Sequence, residues 1–373
     1  MEFLFPFVEY YYFVYWFVVM LMTIMHFNTI MKYSGYDVIS RSFDYQPILL
    51  FSVFFVLLYG LRPISGMNFG DTKNYANTYE LLKNYGIFNT AGSDEIGSEW
   101  LFYSIQKFCA PILDVHIWFL LMMCCYIIPM YKGCKQIDKK HGALLMLFCI
   151  GAFEFYAFAV NGVRNGIACS IVFVAVATIL RKKKFLAAIL CFIAIGFHKS
   201  ALLPAAAMFF TYFICKPKYM FIVWFAAIGI SITIGDYIDM ILSSLNYDER
   251  LASELQDNNA DGQILEHRFR WDFLLYSSMP IILAAYTIFR RKLYDKTYLL
   301  LLGTYMYANS FWVLTIRALF SNRIAYLSWF IYPIVLAYPL LNFEVFKKRH
   351  SFKTAWILLA HFGLTTVLWL LGK

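Results

Sequence analysis

The chain has 373 residues, carries a formal net charge of +9, and is 61% hydrophobic, 20% aromatic and only 15% charged. Its mean hydropathy of +0.61 excludes an ordinary soluble globular domain. The excess of Lys and Arg does not indicate a nucleic-acid partner, because these residues are concentrated in short segments between long apolar stretches. The composition therefore predicts a polytopic membrane protein.

Apolar stretches recur along the whole chain. The first lacks the basic region and the small-residue cleavage site of a signal peptide, so we expect a retained transmembrane helix there. A helix needs about 20 residues to cross a bilayer, and no stretch alternates as barrel strands do. We predict one all-α membrane domain, 1–373, of about twelve spans, with ten to twelve plausible. The stretches are 10–30, 46–61, 112–131, 142–160, 162–181, 184–198, 200–216, 219–235, 271–290, 297–316, 323–346 and 354–371.

Lys and Arg are distributed unevenly over the predicted loops. Alternate loops hold 20 of the 32 basic residues. Because cytoplasmic loops of membrane proteins are enriched in Lys and Arg, we expect these loops to be cytoplasmic. They are 31–45, 132–141, 181–184, 216–218, 290–296 and 347–353. The two longest polar segments, 62–111 and 236–270, should then be extracytoplasmic loops.

These two long segments differ from the rest of the chain in composition. They contain 13 of the 23 acidic residues and interleave aromatic with polar side chains at helical spacing, as in "NYANTYELLKNYGIF". Such a pattern is typical of short amphipathic helices that lie in a membrane interface. We therefore predict interfacial helices in the extracytoplasmic loops.

Cofactor and metal motifs are absent from the sequence. It contains no P-loop, GxGxxG or DxD motif, and its eight cysteines form neither a CxxC pair nor a Cys/His cluster with zinc spacing. We expect no cofactor, and the sequence requires no metal ion. Any chemistry that the chain performs should then depend on side chains of the membrane domain itself.

Basic residues also lie where several predicted helices meet the extracytoplasmic surface. Arg164 lies in the first turn of the stretch 162–181, with Asn161 as the predicted N-cap. A helix amino terminus is the positive end of the macrodipole, so a cation there needs a compensating partner. The same placement recurs for Lys199, Arg268, Arg270 and Arg323, and Arg317 ends the outward-running helix that precedes Arg323.

The turn "GFHKSALLPA" repeats this arrangement, with His198 and Lys199 just before Ser200, the predicted N-cap of the next helix. Free N–H groups at helix starts, together with guanidinium groups, bind phosphate oxygens. The set predicts a strongly anionic ligand, and a lipid-linked pyrophosphate fits best. For any single residue the alternative is a long basic side chain that only reaches towards the interface.

The paired motifs "NGVRNGIACSI" and "GFHKSALLPA" resemble the N-x-x-R and H-x-S-A signature of the EpsG family, membrane proteins of exopolysaccharide and capsule assembly that are related to Wzy-type polymerases. An early Arg followed by Gly70, Asp71 and Tyr75, the segment "GSEWLFYSIQKF" and the late helix "SNRIAYLSWFIYPIVLAY" are similar to other elements of that family. Asn165 and Pro63 depart from its pattern.

The resemblance implies a GT-C-like glycosyltransferase in the bacterial cytoplasmic membrane. Such an enzyme moves a growing glycan from undecaprenyl pyrophosphate to a sugar hydroxyl of a lipid-linked repeat unit, on the extracytoplasmic side. We predict Arg164, His198 and Asp71 as catalytic. The predicted substrate-binding residues are Arg62, Glu99, Asn161, Lys199, Ser200, Arg268, Arg270, Arg317 and Arg323. Asp71 and Glu99 compete with His198 as the general base.

The predicted partners are a polyprenyl-pyrophosphate-linked oligosaccharide and membrane lipid, together with a chain-length regulator and a flippase, and no nucleic acid. Other functions stay open at this point. An O-antigen-type ligase shares the donor and differs only in the acceptor. A lipid-linked oligosaccharide flippase would place cations in a deep central cavity, and a membrane acyltransferase would need a His-centred site for a cytoplasmic donor. A purely structural subunit gives no reason for the outer cations.

Overall fold

The computed structural model of the chain describes residues 7–32, 39, 42–43, 45–85, 99–244, 269–318 and 321–371. Every regular element in these ranges is helical. This agrees with the apolar sequence, because a helix satisfies its backbone polar groups internally where lipid offers no hydrogen-bond partner.

The described helices are numbered here in chain order. The first group is α1 (Tyr11–Met31), α2 (Gln46–Gly60), α3 (Gly66–Phe69), α4 (Thr72–Tyr85), α5 (Trp100–Cys109), α6 (Val115–Ile137), α7 (Gly142–Ile150) and α8 (Phe153–Val160). The second group is α9 (Val163–Leu180), α10 (Lys184–Phe197), α11 (Leu202–Phe213), α12 (Pro217–Ser244), α13 (Trp271–Ala285), α14 (Lys296–Leu314), α15 (Ser321–Trp329), α16 (Tyr332–Asn342) and α17 (His350–Leu371).

Seven helical segments of the described chain are long and apolar enough to cross a membrane, and a bent pair makes a possible eighth. The seven are Val8–Met31, Val115–Ile137, Val163–Leu180, Pro217–Gly235, Trp271–Arg290, Ser321–Asn342 and His350–Leu371. The bent pair is α7 with α8, which meet at 72°. The predicted all-α, multi-pass membrane architecture is confirmed with seven or eight candidate spans, fewer than the predicted twelve.

The difference lies in four of the predicted stretches. Helices α2, α10 and α11 have only 15, 14 and 12 residues, which is about 18 to 23 Å at 1.5 Å per residue and short of the hydrocarbon core. Helix α14 has 19 residues but buries the polar side chains of Thr304 and Asn309. The stretches 46–61 and 184–198, which form α2 and α10, are already short in the sequence and are the reason why fewer than twelve spans were also plausible. Hydropathy did not distinguish 200–216 and 297–316 from full-length spans.

The long polar segments are only partly described. Within 62–111 the chain forms α3, α4 and α5, so helices are present where amphipathic ones were predicted. Most of 236–270 lies outside the described residues. The interfacial position of these helices stays a prediction.

Hydrogen bonds between loops show which loops lie at the same end of the bundle. At one end, the Tyr45 hydroxyl donates to Lys139 O (3.0 Å) and Arg181 donates to Gln136 O (3.0 Å). The described parts of the predicted cytoplasmic loops near 39, 140, 291 and 345 lie at the same end, since Lys140 donates to Ile39 O, Asn342 to Asp138 and Arg291 to Val345 O. We call it the basic end. At the opposite end, Thr72 donates to Val160 O (2.7 Å). We call this opposite end the site end, because the predicted site residues lie there.

The bend between α7 and α8 exposes backbone carbonyl groups that no longer have helical partners. Side chains of distant helices bind them: the Tyr15 hydroxyl donates to Ile150 O at 2.5 Å, and His361 Nε2 donates to Phe148 O at 2.9 Å. Burying a carbonyl group without a hydrogen-bond partner in an apolar bundle costs roughly several kcal/mol of folding free energy. The bonds from Tyr15 and His361 avoid this cost and so stabilise the bend.

A buried polar network joins four other helices. Asn309 of α14 accepts from Trp224 Nε1 at 2.9 Å and donates to Ser328 Oγ at 3.0 Å and to Ser277 Oγ at 3.3 Å. Trp329 Nε1 also donates to Ser277 Oγ, at 2.8 Å. Because these groups are satisfied only when the helices lie in register, the network specifies how α12, α13, α14 and α15 pack.

Asp138 links two segments of the chain at the basic end, because its carboxylate binds both His141 and Asn342. Its carboxylate accepts hydrogen bonds from the His141 ring (2.8 Å) and backbone (3.0 Å) and from the Asn342 amide (2.9 Å). Burial alone would raise the pKa of Asp138, but the hydrogen bonds from His141 and Asn342 outweigh burial and lower this pKa to about 2. The folded-state pKa therefore lies below that of the unfolded chain.

We expect Asp138→Ala to lower the free energy of unfolding at pH 7 by about 2 kcal/mol, because a depressed pKa reports a carboxylate that is better stabilised when folded. This contribution is present above about pH 4 and is lost as the pH falls towards 2. Melting temperatures of the detergent-solubilised protein at pH 7 and pH 3 measure it. Glu9→Ala, which removes an exposed carboxylate, is the control; an equal deficit for Asp138→Ala at both pH values would contradict the assignment.

Candidate active site

Arg164 lies in the first turn of α9 and is only 9% exposed. Its Nη1 donates hydrogen bonds to Glu99 Oε2 and to the Tyr103 hydroxyl, the latter at 2.9 Å. The rings of Tyr75 and Phe102 lie 5.3 and 5.7 Å from its Cζ. A buried guanidinium needs a counter-ion and hydrogen-bond acceptors, and Glu99 and Tyr103 supply them.

Glu99 also contacts His198, whose Nδ1 faces Glu99 Oε1. One carboxylate therefore lies between a guanidinium and an imidazole. Glu99 and Arg164 keep only 6% and 11% of their side chains exposed, whereas His198 keeps 23%. Of the three residues, His198 is the most accessible to a ligand.

A close helix contact brings these residues together. A Cβ at Gly196, near the end of α10, would lie 2.9 Å from both Leu101 Cβ and the Trp100 ring. Only a glycine lets α5 approach α10 so closely at this point. As a result Glu99, immediately before α5, lies beside His198, immediately after α10.

The loop from 62 to 72 is fastened to the end of α8 next to this cluster. Arg62 has no exposed surface and donates to Tyr59 O, Thr72 Oγ1 (2.7 Å) and Val160 O (3.4 Å). Burial lowers the pKa of Arg62 to about 10, which leaves it charged at neutral pH. Its predicted contact with substrate is not supported by this placement, because the side chain lies beneath the loop and holds it in position.

Asp71, at the end of this loop, lies beside the cluster. Its backbone N–H donates to Asn161 Oδ1 at 2.9 Å. Gly70 precedes it with a φ of +51°, and a Cβ at Gly70 would overlap the Asn161 amide group. Asp71, Glu99 and Arg164 all interact electrostatically with the Tyr75 hydroxyl. The loop therefore presents Asp71 to the same space as Glu99 and Arg164.

The two predicted N-caps are wrong. Gly162 is the N-cap of α9, without a side-chain bond, and the Asn161 side chain binds the 62–72 loop instead. Ser200 lies inside a 3₁₀ turn, Lys199–Ala201, and Ala201 precedes α11. Capping requires an extended backbone at the cap residue, and the tight turns here do not provide it at Asn161 or Ser200.

The remaining predicted cations form a second group around α15. Arg323 and Arg270 both interact electrostatically with the Tyr326 hydroxyl. Arg270 makes two hydrogen bonds to Asp272, at 3.0 and 2.7 Å, so its charge is offset. Arg317 lies over the Phe269 ring, with its Cζ 5.7 Å from the centroid.

Arg268 lies outside the described residues. Lys199 is half-buried in the turn after His198. The second group adjoins the first through Phe158, whose ring lies 5.5 Å from that of Tyr326 and whose Cβ would be 2.7 Å from a Cβ at Gly166 of α9. Both groups therefore lie around the helical turn formed by α8 and α9.

Most of the chain matches a known protein family. Residues 45–372 match the EpsG family. The chain belongs to the EpsG family. This family of membrane proteins is linked to exopolysaccharide biosynthesis, and the match includes every predicted site residue. No curated protein and no solved structure matches the chain.

Three aromatic residues of this EpsG-family protein were not among the predicted site residues. Tyr75, Phe102 and Tyr103 surround the Arg164 guanidinium. Phe102 and Tyr103 lie three and four residues after Glu99, a helical spacing that places them near one face with it. That spacing was visible in the sequence, but their contact with Arg164 was not.

Glu154 was also not predicted, although it is an acid within an apolar stretch. It is 3% exposed, lies in α8 just after the bend, and its Oε2 has no hydrogen-bond partner among the described residues. Acids within the membrane region of a protein are rare and often functional. In the described ranges, no three His, Cys, Asp or Glu side chains lie close enough together to hold a metal ion.

We expect Glu99→Ala to lower the free energy of unfolding by about 3 to 5 kcal/mol, because it leaves the Arg164 guanidinium buried without a counter-ion. The melting temperature of the detergent-solubilised protein measures this. Glu80→Ala, which removes an exposed acid of α4, should change stability by about 0.5 kcal/mol or less. Adding Arg164→Met to Glu99→Ala should restore part of the loss, and no recovery in that double variant would contradict the ion-pair assignment.

We also expect Gly70→Ala to destabilise the 62–72 loop by about 1 to 3 kcal/mol, because it combines a left-handed backbone with a steric overlap at Asn161. The melting temperature and the yield of folded protein are the readouts. Gly229→Ala, in α12, is the matched control, since nothing lies within 4 Å of a Cβ at Gly229. Equal behaviour of the two variants would show that Gly70 does not need its conformation.

Proposed function

We propose that this EpsG-family protein is a polysaccharide polymerase. It transfers a growing glycan from undecaprenyl pyrophosphate to a sugar hydroxyl of a lipid-linked repeat unit, at the extracytoplasmic face of the bacterial cytoplasmic membrane. The observation that carries the proposal is the Glu99 carboxylate that joins Arg164 and His198. Both of these residues belong to the motifs that resemble the family signature.

The side of the membrane follows from charge. The Arg164 cluster lies at the site end, and the loops rich in Lys and Arg lie at the other end. Because basic loops stay in the cytoplasm, the cluster is assigned to the extracytoplasmic face. Lipid-linked repeat units are polymerised there, where nucleotide sugars are not available as donors.

The reaction needs a base for the acceptor and a binding site for the leaving group. The acceptor hydroxyl oxygen attacks the anomeric carbon of the donor, and the bond from that carbon to the pyrophosphate oxygen breaks. The hydroxyl proton passes to Nε2 of His198, because Nδ1 is turned to Glu99. The bonding electrons leave with the pyrophosphate. Glu99 stabilises the imidazolium that forms, as the carboxylate of a Ser-His-Asp triad does.

The pyrophosphate binds at the helix starts. Arg164 contacts it with the guanidinium N–H groups that Glu99 and Tyr103 leave available. Because Glu99 offsets the charge of Arg164, the additional positive charge comes from Lys199, Arg317 and Arg323. These cations stabilise the negative charge that develops on the leaving group.

Two residues have positioning roles in this proposal. Arg62 holds the 62–72 loop through Thr72, and Asn161 binds the backbone of Asp71. Asp71 then orients the acceptor sugar by accepting hydrogen bonds from its hydroxyl groups. Asp272 offsets the charge of Arg270, so Arg270 contributes little to binding of the anion.

We extend the proposal to the architecture, in which all twelve apolar stretches cross the membrane in a GT-C-like bundle. In support, the short helices α2 and α10 each run from a loop at the basic end to a loop at the site end. A local thinning of the bilayer accommodates helices of this length at modest cost. The GT-C-like part rests on the family resemblance alone.

The partners proposed are the lipid-linked oligosaccharides themselves, surrounding membrane lipid, a flippase that delivers repeat units and a chain-length regulator. A ligase remains the second candidate, because a ligase uses the same donor and the same Arg and His chemistry. The lipid-linked glycans of a deletion strain distinguish the two. Accumulated single repeat units support a polymerase, whereas accumulated full-length lipid-linked chains would identify a ligase.

We expect Arg164→Ala, Arg164→Lys and His198→Ala to abolish polymer while single lipid-linked repeat units persist. Lys fails because it cannot reproduce the forked hydrogen bonds of a guanidinium. The readout is the lipid-linked glycan profile of the deletion strain carrying each variant, with membrane abundance measured in parallel. Lys83→Ala, which removes an exposed cation of α4, should leave polymer length unchanged. Normal polymer from Arg164→Ala at normal abundance would refute the role.

A further inference from the structure

A groove of about 390 Å³ lies on α17 near the basic end, away from the Arg164 cluster. Its lining is apolar except for one cation, and consists of Phe346, Phe352, Lys353, Trp356, Ile357 and Ala360. Phe352 and Trp356 are 40% and 48% exposed. The groove therefore opens on the outer surface of the bundle, where lipid surrounds a membrane protein.

A basic loop borders the mouth of this groove. Lys347, Lys348 and Arg349 are consecutive and exposed, and Lys353 follows one helical turn later. The Lys353 Nζ lies 4.8 Å from the centroid of the Phe346 ring, and the Arg349 Cζ lies 5.9 Å from that of Phe352. Lys353 and Arg349 thus pack against aromatic rings that form the groove.

The loop is held in place by other parts of the bundle. Arg291 donates to Val345 O at 2.8 Å and to Glu344 O at 3.0 Å. His350 Nε2 donates to Leu340 O at 2.8 Å. Arg349 has a φ of +54°, a conformation that a side chain other than glycine adopts only when its surroundings impose it. The cations are therefore presented by an ordered loop.

Within the described chain, none of these four cations forms an ion pair with an acid. The positive charge at this end, taken without the groove, is explained by membrane topology, because cytoplasmic loops are enriched in Lys and Arg. Topology does not explain an apolar groove that continues from the charges, because an inserted loop needs no such groove. A ligand that satisfies both features has an anionic head and a long apolar chain.

We propose that this groove binds an anionic phospholipid of the leaflet at the basic end. One acyl chain lies along the groove against Trp356, Ile357 and Ala360, and the phosphate group lies between Lys353 and Lys348. From Lys353 to Ala360 the helix rises about 10 Å, which covers the upper part of an acyl chain. Clusters of Lys and Arg just cytoplasmic of a membrane helix attract anionic lipids by about 1 kcal/mol per residue.

The site is separate from the proposed polymerase chemistry. A polyprenyl phosphate shares the anionic head and apolar tail, but its substrate site would lie at the opposite end with Arg164. The proposal commits to a diacyl phospholipid, and the alternative lipid is one arm of the test. Failure of the polymerase proposal would leave this site unaffected.

The test measures lipid retention by the detergent-purified full-length protein. Native mass spectrometry counts bound phosphatidylglycerol or phosphatidylcholine after titration, and melting temperatures are recorded in parallel. We expect phosphatidylglycerol to bind in preference and to raise the melting temperature. The double variant Lys348→Gln/Lys353→Gln should bind phosphatidylglycerol about tenfold to thirtyfold more weakly.

Two further variants keep the test decisive. Lys132→Gln/Lys183→Gln removes two exposed cations at the same end without touching the groove, and should leave binding unchanged. Ala360→Trp fills the groove from an exposed position, and should weaken binding without altering charge. An equal loss in the control pair, no loss with Ala360→Trp, equal binding of phosphatidylcholine, or preferential binding of a polyprenyl phosphate would each overturn the proposal.

Discussion

The Glu99 carboxylate is the interaction on which the site end of this protein depends. It lies between Arg164 and His198 and gives the buried Arg164 guanidinium a counter-ion. A buried charge is tolerated only when it is paired and hydrogen-bonded, so the elements carrying these residues must meet closely. Gly196 permits the contact of α5 with α10, and the loop held by Arg62 closes the neighbouring side. The close packing of α5 against α10 and the need to pair the charge of Arg164 therefore favour the same arrangement of these helices.

The broken helix of α7 and α8 connects this cluster with the interior. Its bend is stabilised because Tyr15 and His361 bind the carbonyl groups that the break releases. After the bend, α8 ends at Val160 with Asn161 as its C-cap. Gly162 follows as the N-cap of α9, so that Arg164 lies in the first turn of α9 directly after this tight turn. Irregular backbone of this kind in membrane proteins occurs where it is buried in protein or lines a cavity.

The cations at the two ends of the bundle differ in their surroundings. At the site end, Arg62 and Arg164 are buried and bound by named partners. At the basic end, Lys347 and Lys348 are exposed and have no acidic partners within the described chain. Paired and buried cations are held in a defined geometry, whereas exposed ones respond to the field of a membrane surface. The same residue type therefore meets a closed, paired environment at one end and an open, unpaired one at the other.

The sequence by itself determined the all-α membrane class, because that class depends on apolar length. It also placed most Lys and Arg in one set of loops, and its short local motifs selected Arg164 and His198 as candidate site residues. Only the tertiary structure decided the pairing of Glu99 with both residues, since segments far apart in the chain meet there. Only the folded chain showed that Arg62 is buried and that the Asn161 side chain binds the backbone of Asp71 and caps no helix. Those outcomes depend on backbone angles and long-range packing, which a local pattern of residue types does not encode.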